Sequence, residues 1–169
     1  MVFALASRAL RSSSYRPALS QLAGARRGYA EAVSDKLKLS FVLPHSALYN
    51  AQEVTQVNVP AISGDLGILS AHVPTVEQIR PGVLEVIESS GTSKKFFVSS
   101  GFATIHPDNH LTVNTIEAYT LDKFSQESVR QGLAEAQRVA SGNGSPEEKA
   151  AAEIEVEVFS AIQAALSQQ

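Results

Sequence analysis

Polar and apolar residues alternate from Lys36 onward. Leu37, Leu39 and Phe41 fall on one side and Lys36, Lys38 and Ser40 on the other, the two-residue period of a strand with one buried face, ended by Pro44. A second run, Glu53 to Val59, puts Thr55, Val57 and Val59 on one face and Gln56 and Asn58 on the other, and Pro60 closes it. Residues 63–83 are more broken. Gly64, Gly67, Pro74, Pro81 and Gly82 recur too closely for a helix, so the stretch reads as turns linking short extended pieces. Leu66, Ile68, Leu69, Val73, Val76 and Ile79 are expected to anchor those turns on the core, leaving Asp65, Ser70, His72, Glu77, Gln78 and Arg80 to face outward.

Two hairpins follow. Val83 to Glu88 and Lys94 to Ser99 flank the turn formers of 89–93, and a second hairpin spans Gly101 to Glu117 around Pro107-Asp108-Asn109. Several short strands joined by turns predict a β-sandwich or flattened barrel. At Leu121 the apolar period lengthens to about 3.6 residues. Phe124, Val129, Leu133, Ala136 and Ala140 trace one helical stripe, with Glu127, Arg130, Glu135 and Arg138 on the wetter side. Gly142-Asn143-Gly144 stops that helix, and Ser145-Pro146-Glu147-Glu148 starts another with a capping box. Ile154, Val158, Ile162 and Ala165 form its stripe, widened by Phe159 and Leu166. So short a connection makes the helices an antiparallel pair. The fold class is therefore all-β plus α, a sandwich over 36–118 followed by a helical hairpin over 121–169.

Charge and composition alter the picture at the N-terminus. Residues 1–30 carry Arg8, Arg11, Arg16, Arg26 and Arg27 and no acid, the make-up of a mitochondrial transit peptide; a basic tail for an anionic surface is the other reading. Arg27-Gly28-Tyr29-Ala30 resembles a matrix-peptidase site cut between Tyr29 and Ala30, which gives a leader of 1–29 and a linker of 30–35. Without the leader nine Lys and Arg face 17 Asp and Glu, a net charge near −8, which argues against nucleic acid as a partner. There is no cysteine, so disulfides and thiolate metal sites are excluded, and no apolar run is long enough to span a bilayer. The glutamates at 147, 148, 153, 155 and 157 read as a solvated helix face and a favourable charge near a helix N-terminus.

Catalytic patterns are sparse. His106 and His110, with Asp108 between them, have the spacing of some metal pairs, but that spacing suits a helix and here straddles a Pro-containing turn; two strand-end histidines is the simpler reading. His45 beside Ser46 lacks a nucleophile setting, and the stretch from Gly64 to Gly67 lacks the Gly-Lys-Ser/Thr ending of a phosphate loop. The expectation is a protein without catalytic, metal or cofactor residues.

The combination of motifs is more specific than any one of them. Residues 64–74, Gly-Asp-Leu-Gly-Ile-Leu-Ser-Ala-His-Val-Pro, then Ile79-Arg80-Pro81-Gly82-Val83-Leu84 and Phe97-Val98-Ser99-Ser100-Gly101-Phe102, resemble the signature of the epsilon subunit of bacterial F-type ATP synthase. With the leader added, the chain resembles that family's mitochondrial counterparts, which are called delta. The resemblance covers about 36–169. It implies a non-catalytic foot of the rotating central stalk, peripheral to the matrix side of the mitochondrial inner membrane, that couples the membrane c-ring to the gamma shaft. Its implied partners are gamma, the polar loops of the c-ring and a small mitochondrial epsilon subunit. The family's contact positions map onto Asp65 and His72, with Leu69, Ser70, Val73, Glu77 and Gln78 beside them; for Asp65, ordinary turn formation is the alternative. One departure stands out. Relatives that bind ATP carry Ile/Leu-Asp-x-x-Arg-Ala, whereas Leu121-Asp122 is followed by Ser125 and Gln126, which puts nucleotide binding and the bacterial inhibitory role in doubt. A permanently packed hairpin is expected instead. The reading from another class is a non-catalytic matrix adaptor unrelated to the synthase.

Overall fold

A computed structural model describes residues 36–167; the leader, the linker and the Tyr29/Ala30 cleavage site lie outside the described residues. Among the described residues, nine strands lead into a short 3-10 turn and two helices. β1 (Leu37–Leu43) alternates as its sequence demands, with Leu37, Leu39, Phe41 and Leu43 buried. β2 (Ser46–Ala61) is the longest strand at 16 residues and is shared between partners. Its first half pairs antiparallel with β1. Its second half pairs with β5 (Gly82–Glu88) and with β3 (Gly64–Ile68).

β4 (Thr75–Ile79) pairs with β7 (Gly101–Ile105), β7 with β8 (His110–Thr115), and β8 runs parallel to β1. β5 continues through β6 (Ser93–Val98) to β9 (Ala118–Thr120). The sheet folds over one core of Leu39, Phe41, Val57, Val59, Ile68, Ile79, Leu84, Val86, Val98, Leu111 and Val113, each at most 1% exposed. This is a nine-stranded β-sandwich.

Two details of β2 differ from the period-two reading. Register slips between Val54 and Gln56, so the bulge at Thr55 turns that side chain to solvent and hands its core place to Val54. Pro60 does not end the strand. It lies opposite Asp65 of β3, and its carbonyl accepts from the Arg80 amide at 2.9 Å.

β6 uses both of its faces. Phe96 points into the sandwich and meets Phe41 edge-on at 5.7 Å, whereas Phe97 points the other way and meets Phe124 at 5.6 Å. Around Phe97 gathers a second core of Leu121, Val129, Ile162, Ala165 and Leu166, with Val83 of β5 packed against it. This core seats the hairpin of α1 (Gln126–Ala140) and α2 (Pro146–Leu166) on the sandwich. Ser145 and Glu148 form the expected capping box. Phe124 is not on the helical stripe; it is extended, after the 3-10 turn Leu121–Lys123 and before α1. Ile154 also leaves its stripe, at 64% exposed, because α2 turns Ala152, Ile162 and Ala165 inward.

Candidate functional site

The central stretch holds β3, β4 and the loop between them, 69–74. Ile68 and Ile79 are buried and Leu66 packs on the core, as the sequence predicts. Leu69, Val73 and Val76 are not: they stand 48%, 70% and 63% exposed. Ile68 and Ile79 already fill the core at either side of the loop, and on β4 the pleat that buries Ile79 turns Val76 and Gln78 outward. The expected anchors are thus an apolar surface.

The loop gathers Leu69, Ser70, His72 and Val73, with His72 half-buried and its Nδ1 2.9 Å from the Val73 carbonyl. Asp65 is elsewhere, toward the opposite end of β3, where Arg80 Nη2 donates to its Oδ1 at 2.7 Å. Glu77 accepts from the Ser63 hydroxyl at 2.8 Å, and Gln78 lies opposite Phe102 on the outward face. The predicted residues therefore divide into an apolar loop end and a charged end. A cleft of about 450 Å³ beside α2 adds Glu85 and Lys95 to Asp65 and Arg80. Asp65 is paired with Arg80 there, and hydrogen bonds from Ser93 and Asn58 hold the Glu85 carboxyl below its ordinary value.

Sequence reasoning did not single out the sheet face beyond Gln78. Phe102 is 53% and Ile116 61% exposed, and with Val42, Pro44 and Gln78 they line a shallow groove of about 410 Å³. Phe102 sits in the quoted signature. Its outward direction follows from register, since Gln78, Phe102 and Asn114 are cross-strand neighbours.

His106 and His110 face each other edge-on at 5.9 Å. His110 Nε2 is 2.8 Å from the Ser40 hydroxyl, and His106 Nε2 is 3.3 Å from that of Thr112. Among the described residues, no three His, Cys, Asp or Glu side chains converge as a metal site, and no helix is long and apolar enough to cross a membrane.

A sandwich that seats a helical hairpin on one side and exposes apolar side chains on its loop and sheet face defines a class: a subunit of a larger assembly, built to present contact surfaces. Residues 36–120 match the family described as ATP synthase, Delta/Epsilon chain, beta-sandwich domain, and the chain belongs to that family. It is 55% identical over 163 residues to the mitochondrial ATP synthase subunit delta of Agaricus bisporus, covering 96% of this chain and 99% of that one. Against the Saccharomyces cerevisiae subunit delta the identity is 54% over 144 residues, or 84% and 89% of the two chains.

Among solved structures, a chain of the Euglena gracilis mitochondrial ATP synthase, OSCP/F1/c-ring in rotational state 1, superposes with a TM-score of 0.75 at 25% identity, over 82% of this chain and 86% of that one. A chain of the Tetrahymena thermophila mitochondrial ATP synthase central stalk and c-ring shares the fold, with a TM-score of 0.54 at 18% identity. Membership makes this a mitochondrial, non-catalytic stalk subunit, and an unrelated matrix adaptor finds no support among the relatives.

Proposed function

We propose that this chain is the foot of the central stalk, peripheral to the matrix side of the inner membrane, and passes rotation of the c-ring to the gamma shaft. Asp65, Leu69, Ser70, His72, Val73, Glu77 and Gln78 form its contact surface for the polar loops of the ring and for the stalk. A small mitochondrial epsilon subunit packs beside it. One observation carries this reading: Leu69, Val73, Val76, Phe102 and Ile116 are exposed on a sandwich that buries a separate apolar core of its own. Exposed apolar groups on one loop and an adjoining sheet face are covered in an assembly, and matched charges at the other end of β3 add orientation. Rigidity comes from the double core, which lets torque pass through the body.

The test is Asp65→Lys combined with His72→Glu in the complete complex, reconstituted in vesicles. Proton-driven ATP synthesis should fall severalfold while ATP hydrolysis by the detached catalytic head is retained. Unchanged synthesis removes both residues from the contact surface. Residues 1–29 serve as the import leader in this reading, so the mature subunit begins at Ala30; an N-terminus elsewhere, found by sequencing the protein from mitochondria, refutes the cut after Tyr29.

A further inference from the structure

We propose that Asn109, in the turn between β7 and β8, is the positioning residue that holds the contact loop 69–74 in its working shape. The inference rests on the proposed role of that loop and adds the group that fixes it. Asn109 is polar yet only 6% exposed. Its Oδ1 accepts from the Ala71 amide at 2.6 Å, near the middle of the loop and 38 residues away in sequence. Its carbonyl accepts from the Lys38 amide at 2.9 Å, which ties the same residue to the start of β1.

The loop's other contacts are local. Leu69 and Val73 are exposed, the backbone bond from the His72 amide to the Leu69 carbonyl is long at 3.3 Å, and the half-buried His72 places its Nδ1 2.9 Å from the carbonyl of adjacent Val73. Ala71 has φ 60°, a left-handed conformation that a residue with a Cβ adopts only when its surroundings impose it. The bond from Asn109 grips the amide of that same residue, inside the turn that the Leu69–His72 bond closes.

The sequence position also demands an asparagine-like residue. Asn109 itself has φ 60°, which Asn tolerates better than most side chains, and the turn is closed by the His106 amide to the His110 carbonyl at 2.8 Å and by the His110 amide to Asp108 Oδ1. Glycine would satisfy the backbone and lose the acceptor. Aspartate would keep both. The two substitutions therefore separate the turn's conformation from the grip on the loop.

The experiment compares Asn109→Gly and Asn109→Asp in the full chain by amide hydrogen exchange, then in the reconstituted complex by proton-driven synthesis. Asn109→Gly should speed exchange at Ala71 about tenfold while the Leu111 and Val113 amides stay protected, and Asn109→Asp should restore Ala71 to near its original rate. Unchanged exchange at Ala71 in the glycine variant overturns the proposal. So does equal acceleration at Leu111 and Val113, which would mean general loosening, and so does an aspartate variant as fast as glycine. In the complex, coupling should fall with glycine and recover with aspartate. If Ala71 loosens and coupling is unchanged, Asn109 still positions the loop, and the contact role of the loop is what fails.

Discussion

Asp65 and Arg80 illustrate how modest the individual contacts on this surface are. Their side chains are 79% and 44% exposed, so the 2.7 Å bridge contributes about 0–1 kcal/mol and can be exchanged for a partner's charge at little cost. Glu85 and Glu88 are held more firmly. Ser93 and Asn58 donate to Glu85, while Lys94, 2.7 Å from Glu88, holds its carboxyl below the ordinary value of 4.5. Both groups bind protons more weakly folded than unfolded. Their stabilisation is therefore complete above about pH 4.5 and is lost as pH falls through the lower, folded values. Urea midpoints measured between about pH 6 and pH 3 should drop below that point, and Glu85→Gln should flatten the slope there. A slope unchanged in the variant would show that Glu85 titrates alike in both states.

At the scale of elements, the helical hairpin depends on a residue that carries no side chain. A Cβ placed on Gly132 of α1 would sit 2.6 Å from Cζ of Phe159 on α2, so any side chain there forces the half-buried Phe159 ring or the helices to shift. Glycine in a helix interior costs about 1 kcal/mol relative to alanine in an isolated helix, so propensity alone predicts that Gly132→Ala stabilises. The contact reverses that sign. We expect the variant to lose about 1–3 kcal/mol, seen as a lower midpoint in helix-monitored thermal melting, with Phe159→Leu restoring part of the loss. A higher midpoint for Gly132→Ala alone would show that the helices can separate without penalty. β6 is the other decisive element, since its alternation joins two cores: Phe96 closes the sandwich and Phe97 seats the hairpin.

At the scale of the whole molecule, that division makes the joint between sandwich and hairpin a single apolar cluster. Phe97 is 4% exposed and touches Phe124 edge-on, and Tyr119 meets the same ring at 6.2 Å. Phe97→Ala should cost about 3–5 kcal/mol, concentrated in the hairpin, because the sandwich keeps its own core on the opposite face of β6. Limited proteolysis should then cut the variant faster near Gly142-Asn143-Gly144 and leave a stable fragment through β9. Simultaneous loss of the sandwich would show that the two cores unfold as one. The same joint ties the hairpin to β5 and β6 through Val83 and Phe97.

Local chemistry determined much of this protein. The alternation in β1, the turn formers at 89–93 and 107–109, and the capping box at Ser145 each act within a few residues, so the strands, hairpins and helix start were readable directly. The signature in 64–74 pointed to the family, and the same stretch is the one proposed as the contact surface. Tertiary structure decided which apolar residues that surface would keep. Leu69, Val73, Val76 and Ile154 have the composition of core residues, but burial is set by register and by which neighbours have already filled the space. The bulge at Thr55, the parallel pairing of β1 with β8, the short strand β9 and the grip of Asn109 on Ala71 all join residues distant in sequence or depend on such pairings. No short-range pattern encodes these, because their energies exist only once the chain has closed on itself.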